Sequence, residues 1–513
     1  MQNARFIGVA LILGALATTT LPSAFAQPAK TSVTIGLDVD AGTLDPRKAR
    51  DTSAYRIADL IYDGLISLSS DLKPQPNLAE RWENPDPTTW IFHLSGKATF
   101  QDGKPVTADD VVFTYRSILD PAFNAPLRAL FTPMKTIEAV DAKTVKITLS
   151  APYSPLLSYL EMGIVPKHAA ESGVNLDLNP VGSGPMKLAS WTRGARLTLS
   201  ANDKYWRGTP ALKEMKFTVI GDNTARAQAF EAGDLDFVQS PLSPQDIRRL
   251  EKSDKFAKAI TSGVGVTYLN FNTGDPLLAD PKMRRALAMA VDQATIVDKI
   301  YEGVDKVATS VLLPSSWSYS ASVKQPGFDL AAAKAAFAEL GWKDSGGALM
   351  KDGKKLVVTI ATHSEDPNRV QTLEYIQGVL ATIGVEAKAR ISDWPSFSTG
   401  YVQQSQHQVA LLGWLNLIDP DRLLYAQLHS AGSLNWGKYK NADLDKLLDE
   451  GRSALDIDAR KAAYQKAAEI IARDLPYYIL SYQGYQAFYS KSLSGFSVNP
   501  RGYLRSLVLP ANS

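Results

Sequence analysis

Apolar positions recur along the chain at two periods, and the order in which those periods alternate lays out a mixed α/β fold. Val33, Ile35 and Leu37 fall at period two and predict a first strand, followed by a helix near 54–62. Trp90, Phe92 and Leu94 share one face of the next clear strand while Ile91 and His93 share the other, so both faces are at least partly covered. Asp102-Gly103 is a turn signal. Thr107 stands three residues before Asp110 and ahead of an apolar run, so its hydroxyl is expected to cap a helix over 108–119 that Asp120-Pro121 ends. Alternation returns from Thr144 to Leu149, at 197–200 and at 217–220. A helix over 226–231 closes at Gly233, and Asp234 starts another strand.

The second half changes character. Tyr268 to Asn272 alternates just ahead of Asp280-Pro281, an N-cap followed by proline in the first turn. Met283, Leu287, Ala290, Val291, Val297 and Ile300 then keep helical spacing as far as Gly303. Helices over 331–340 and 370–383, each ended by glycine, alternate with strands at 356–361, 385–391 and 408–413. That alternation predicts a largely parallel sheet covered by helices, with ligands at the carboxyl ends of its strands. Helices at 444–448 and 459–472 and a strand over 475–482 follow.

Composition narrows the class. At roughly 150 residues per domain, 513 residues predict about three domains. With 45% hydrophobic and 21% charged residues the chain is ordinary globular protein. A net charge of +2, with no basic run interleaved with aromatics, gives no reason to expect nucleic acid as a partner. Arg5, the apolar run Phe6 to Leu16 and Ala24-Phe25-Ala26 read as a signal peptide over 1–26, cleaved after Ala26. The absence of cysteine excludes disulfides, thiolate chemistry and a lipid-modified N-terminal cysteine. A freely soluble exported protein needs an outer membrane to retain it, so the expected compartment is the periplasm.

Residue identities go further than spacing. Leu78-Ala79-Glu80-Arg81-Trp82, the aromatic strand and then Phe100-Gln101-Asp102-Gly103-Lys104-Pro105-Val106-Thr107-Ala108-Asp109-Asp110-Val111-Val112-Phe113 closely resemble the signature segment of one class of ABC-transporter solute-binding proteins. It is the oligopeptide/dipeptide/nickel-binding class. Thr43-Leu44-Asp45-Pro46, Tyr205-Trp206-Arg207-Gly208 and Tyr268 to Asn272 fit the same family, so the resemblance covers nearly all of the chain after the signal peptide. It implies an α/β, two-lobed periplasmic binding protein fold (type II, Venus-flytrap) with an additional small α+β domain. Residues 27–72, 182–266 and 483–513 would form lobe I, residues 73–181 the inserted small domain, and residues 267–482 lobe II. The small domain is expected to touch the ligand little. Gly182-Ser183-Gly184-Pro185 lacks the helix and lysine of a phosphate loop and reads as the turn returning the chain to lobe I.

Gly413-Trp414, followed shortly by Asp419-Pro420, resembles the family's principal ligand-contacting segment. In peptide-binding members a carboxylate three residues after this tryptophan commonly pairs with the ligand's α-amino group; here that position is Leu417. Asp419 is then either a substitute acceptor or a turn former before proline. Asn435-Trp436, with Tyr439 and Asn441, corresponds to the asparagine-aromatic pattern beside the family's pocket. The ligand-binding residues expected are therefore Asp40, Trp414, Asn416, Asp419, Asn435, Trp436 and Tyr482, aromatics covering apolar ligand surface and polar groups orienting it. Core packing for the two tryptophans and capping for the rest is the competing reading.

The five histidines are dispersed without metal-ligand spacing, and no Gly-x-Ser-x-Gly elbow, Walker loop or dinucleotide fingerprint occurs, so no metal, cofactor or catalytic residue is assigned. Three functions compete: a binding component delivering di-/oligopeptides or peptide-like solutes to an inner-membrane ABC permease and its cytoplasmic ATPase, an exported hydrolase, and a sensor or chaperone of the same fold. Within the first, an opine, oligosaccharide or metal chelate is the alternative ligand. A monomer is expected.

Overall fold

Val-, Leu- and aromatic-rich runs long enough to cross a whole domain set the architecture. The computed structural model describes residues 30–240, 242–493 and 496–509. The expected signal peptide lies outside them. Two long strands, Phe256–Phe271 and Tyr477–Ser490, pair antiparallel in the middle of one eleven-stranded sheet. To one side lie Val409–Trp414, Val357–His363 and Glu386–Ser392, in that order; to the other lie Phe237–Val238, Ser32–Leu37, Glu214–Val219, Arg196–Ala201 and Met186–Thr192. The pair therefore passes from one lobe to the other.

In the second lobe the period-two pattern divides the side chains between two cores. Tyr268, Ala410 and Leu412 enter one cluster with Tyr477 and Tyr464. Leu269, Val409 and Leu411 enter the other, against Leu373 and Ile376 of the helix Pro367–Ala381. Strands buried on both faces need helices on both faces, which is why the segment alternates strand and helix. Val357–His363 pairs parallel with both of its neighbours. The first lobe buries Val33, Ile35 and Leu37 against Ile57, Leu60 and Ile61 of the helix Thr52–Ile61, whose N-cap Asp51 accepts from the Ala54 amide.

Between Ser262 and Gly265 the pairing of the two long strands slips, opposite Gln483-Gly484. A Cβ at Gly484 would sit 2.0 Å from the Val304 carbonyl oxygen, so only glycine lets the backbones approach there.

The small domain is a four-stranded antiparallel sheet, Ala79–Asp86, Thr89–Leu94, Thr144–Leu149 and Met134–Asp141, with the helix Ala108–Leu119 packed on it through Val111, Tyr115 and Ile118. Thr107 is the N-cap as expected, in a capping box whose Asp110 carboxylate accepts from the Thr107 amide and hydroxyl, both at 2.9 Å. Gly182 and Gly184 return the chain against the last turn of Thr52–Ile61, where a Cβ on Gly182 would stand 1.9 Å from the Ile61 carbonyl oxygen.

One helix departs from its pattern. The run expected to Gly303 is an α-helix only over Pro281–Met289; Asp292 then accepts from the Thr295 amide and caps a new turn, followed by a π-turn over Ile296–Ile300. Helical spacing of apolar residues persists across the break because both pieces pack on one core.

Candidate functional site

A cleft of about 1190 Å³, open to solvent, lies where lobe I, the small domain and lobe II meet. Lobe I contributes Tyr55, Asp59 and Tyr62, spaced i, i+4, i+7 on one flank of its first helix and the turn that ends it, with Arg50 just before that helix. The C-terminal return adds Tyr485, Arg501 and Tyr503. The small domain lines more of the cleft than expected, through Leu127, Leu130, Phe131, Tyr159 and Met162, a largely apolar wall. Leu415, Asn416, Ile418 and Arg422 come from lobe II.

The lobe II segment is shaped by one residue. Asn416 is in the left-handed region at φ +55°, a conformation asparagine tolerates better than most residues. The turn leaves Leu415 and Asn416 exposed in the cleft and sends Leu417 into the lobe II core, where its amide donates to the Val264 carbonyl at 2.8 Å. Ile418 crosses to the small domain and joins its apolar cluster. Two further contacts span the lobes beside it: the Ser154 amide donates to the Arg452 carbonyl at 2.9 Å, and the Ser158 hydroxyl donates to Asp419 at 3.2 Å.

The structure brings Asn416 alone of the seven expected residues to the wall of this cleft. Trp414 is half-buried, its ring edge-on to Trp436 at 6.5 Å and packed, like Trp436, against the lobe II core. Its indole nitrogen is buried with no hydrogen-bond partner among the described residues. Asp419 is completely buried, accepting two bonds from Arg460 at 2.8 and 2.9 Å and one from the Asp421 amide. Asp40 accepts from the Trp191 indole at 3.1 Å and the Gly194 amide at 2.8 Å, pinning a lobe I hairpin. Asn435 bridges within its own loop, from His429 to Tyr439. The Tyr482 hydroxyl accepts from the Ser310 amide and donates to the Ser310 carbonyl, both at 2.9 Å.

The cleft residues that sequence reasoning passed over had one readable signal. Tyr55, Asp59 and Tyr62 repeat at helical spacing on the flank opposite the one that carries Ile57, Leu60 and Ile61, so polar and aromatic groups share a face that a core helix would not need. Burial raises the carboxyl of Asp59, and Arg505, bonded to it at 3.1 Å, pulls it back. Burial likewise raises the phenols of Tyr62 and Tyr159 well above the ordinary value, and both hydroxyls are buried. The wall is apolar with a few fixed polar groups, and among the described residues that line it there is no paired nucleophile and base.

The family model for bacterial extracellular solute-binding proteins, family 5 Middle, matches residues 73–435. The chain belongs to this family. The oligopeptide-binding protein AppA of Bacillus subtilis is 30% identical over 476 residues, 88% of this chain and 86% of that protein. Its structure in complex with a nonapeptide superposes with a TM-score of 0.71 at 28% identity, covering 94% of this chain and 99% of that one. The structure of NikZ from Campylobacter jejuni in complex with Ni(L-His) gives a TM-score of 0.73 at 25% identity, covering 92% of this chain and 97% of that one. Among the described residues no helix is long and apolar enough to cross a membrane.

In this solute-binding protein a buried acid stands at the passage between lobes. Asp305 accepts from the Ser481 hydroxyl at 2.6 Å and the Gly484 amide at 3.1 Å, holding the second long strand where its pairing slips. Burial, with Asp366 nearby, lifts its carboxyl from 3.8 to about 6, against its hydrogen bonds and Arg369. A carboxyl raised on folding binds its proton more tightly in the folded state. Its contribution to stability is complete below the unfolded value and is lost as pH rises through about 6. Asp305→Asn is therefore expected to flatten the part of the stability profile between about pH 4 and 6, read as unfolding midpoints of both proteins across that range. Identical slopes would show that Asp305 does not carry it.

Proposed function

We propose that the chain is the periplasmic binding component of an ABC importer and captures di-/oligopeptides or peptide-like solutes between two closing lobes for delivery to a membrane permease. The single observation that carries this is the cleft itself, walled by lobe I, the small domain and lobe II, with lobe II reaching across it through Ile418. A ligand bound there touches both moving parts, so its binding free energy favours the closed arrangement. An apolar wall with a few fixed polar groups accepts side chains of varied shape, and backbone amides can be met directly or through water. Relatives whose names and structures record peptides support the same class. A periplasmic location is supported by the expected signal peptide over 1–26. The chain acts by binding and release, not by bond chemistry.

The test is a thermal-shift series on the refolded, ligand-stripped protein against di- to nonapeptides. A hundredfold excess over Kd stabilises by about 2.7 kcal/mol, so a binding peptide raises the midpoint by several degrees. A series with no shift, beside a shift with opines, oligosaccharides or nickel with histidine, would reject peptides and keep the transport role.

A further inference from the structure

The helix Ala442–Ser453 of lobe II is finished by a residue of another domain. Where the chain turns out at Ala454, the last carbonyls lose the amides that a longer helix would bring to them. The Ala454 amide donates to the Glu450 carbonyl at 2.9 Å and the Arg460 guanidinium to the Gly451 carbonyl at 2.8 Å. The carbonyls of Arg452 and Ala454 are both met by Ser154 of the small domain, the first by its amide at 2.9 Å and the second by its hydroxyl at 2.5 Å. Four residues on, the Ser158 hydroxyl donates at 3.2 Å to Asp419, the carboxylate that Arg460 holds. Both serines are buried. The Arg452 side chain, fixed by two bonds to Asp421 at 2.9 and 2.8 Å, lies 5.5 Å from the centre of the Tyr153 ring. With Ile418 in the apolar cluster of the small domain, residues 153–158 and lobe II meet along one seam of backbone, hydroxyl, ring and apolar contacts.

We infer that this seam is the latch of the closed form, and that providing it is a function of the small domain. The inference rests on the reading that the lobes close on a solute. Of the residues in the seam, Ile418 lines the cleft, whereas Tyr153, Ser154, Ser158, Asp419, Arg452 and Ala454 do not. The free energy those contacts supply on closing is therefore the same whichever solute lies inside. A solute shifts the balance between open and closed only by its own preference for the closed form, and the latch adds a fixed share to it. Solutes of different shape can then reach one closed form without each making a full set of contacts. The latch also stays reversible, because each of its hydrogen bonds is exchanged for one to water when the seam parts, at a small net cost.

Two measurements decide this. The first is hydrogen exchange in the unaltered, ligand-stripped protein, comparing the Ser154 amide with that of Ile147, which is fully buried in a small-domain strand paired on both sides. The Ser154 amide is expected to be protected at least about tenfold less, since its bond exists only while the seam is shut. Equal protection would make the seam permanent and overturns the proposal. The second is the double variant Ser154→Ala, Ser158→Ala, which removes both hydroxyls and keeps the backbone. Every peptide that raises the midpoint of the unaltered protein is expected to bind the variant about tenfold more weakly, by a common factor and through faster dissociation, with the ligand-free midpoint unchanged. An unchanged Kd, a loss confined to some peptides, or a lowered ligand-free midpoint overturns the proposal. If no peptide binds the unaltered protein, the peptide reading fails by itself, and the ligand-free exchange at Ser154 alone decides the latch.

Discussion

Arg460→Ala is expected to lower the free energy of unfolding by about 3–5 kcal/mol, because it leaves the carboxylate of Asp419 buried without its cation. Asp419 is 0% exposed and Arg460 6%. Besides its two bonds to Asp419, Arg460 donates to the Gly451 carbonyl at 2.8 Å and lies 5.0 Å from the centre of the Trp317 ring. The guanidinium thus ties the turn after the Asn416 segment to two helices, Ala442–Ser453 and Ile457–Asp474. Urea unfolding of the ligand-free protein checks the loss. Asp419→Asn keeps one acceptor but leaves the buried Arg460 guanidinium without its counter-charge, so it too is expected to destabilise the ligand-free protein, and to affect ligands with and without a free amine alike. A selective loss for free-amine ligands would instead return Asp419 to the binding machinery.

Ile418→Ala is expected to weaken ligand binding at least about thirtyfold while changing the unfolding midpoint of the ligand-free protein little. The side chain is 7% exposed, and it belongs by sequence to lobe II but by contact to the apolar cluster of the small domain. Truncating a buried isoleucine costs about 2–5 kcal/mol, and 2 kcal/mol is roughly thirtyfold in an equilibrium constant. If the lobes part when the cleft is empty, Ile418 is exposed in the open form and the cost falls on the closed, ligand-holding form alone. Calorimetric Kd ratios and ligand-free midpoints separate the outcomes. A lowered midpoint with an unchanged Kd would make this seam permanent and place closure elsewhere.

Local chemistry in the sequence accounts for most of the elements. Thr107 and Asp110 mark the start of the small-domain helix, and Trp90 and Phe92 fall on its buried side of the sheet, because capping and period-two burial depend on neighbours a few residues away. The break after Met289 was not legible in the spacing, since Asp292 can be read as a polar face position or as a cap. At the site the limit is sharper. Nothing near Asp419 announces that Arg460, 41 positions on, will neutralise it, nor that Tyr482 will bond Ser310 across 172 positions. Acids and aromatics near a ligand segment look alike whether they face solvent or a distant partner. Asn416 was expected only from its place in the segment that resembles the family's ligand-contacting stretch, and the structure places it on the cleft wall. Arg422 was not, although it stands on the first turn of the helix Asp421–Leu428, because its meaning depends on lobe I lying opposite.

Closure on a ligand is the central claim, and small-angle X-ray scattering tests it most directly. The ligand-stripped protein is measured alone and with a peptide that raises its unfolding midpoint. The radius of gyration should fall on addition of peptide and saturate at the concentration where the thermal shift does. Binding with an unchanged radius of gyration, in the unaltered protein and in Ile418→Ala alike, would contradict a cleft whose two lobes close on the solute.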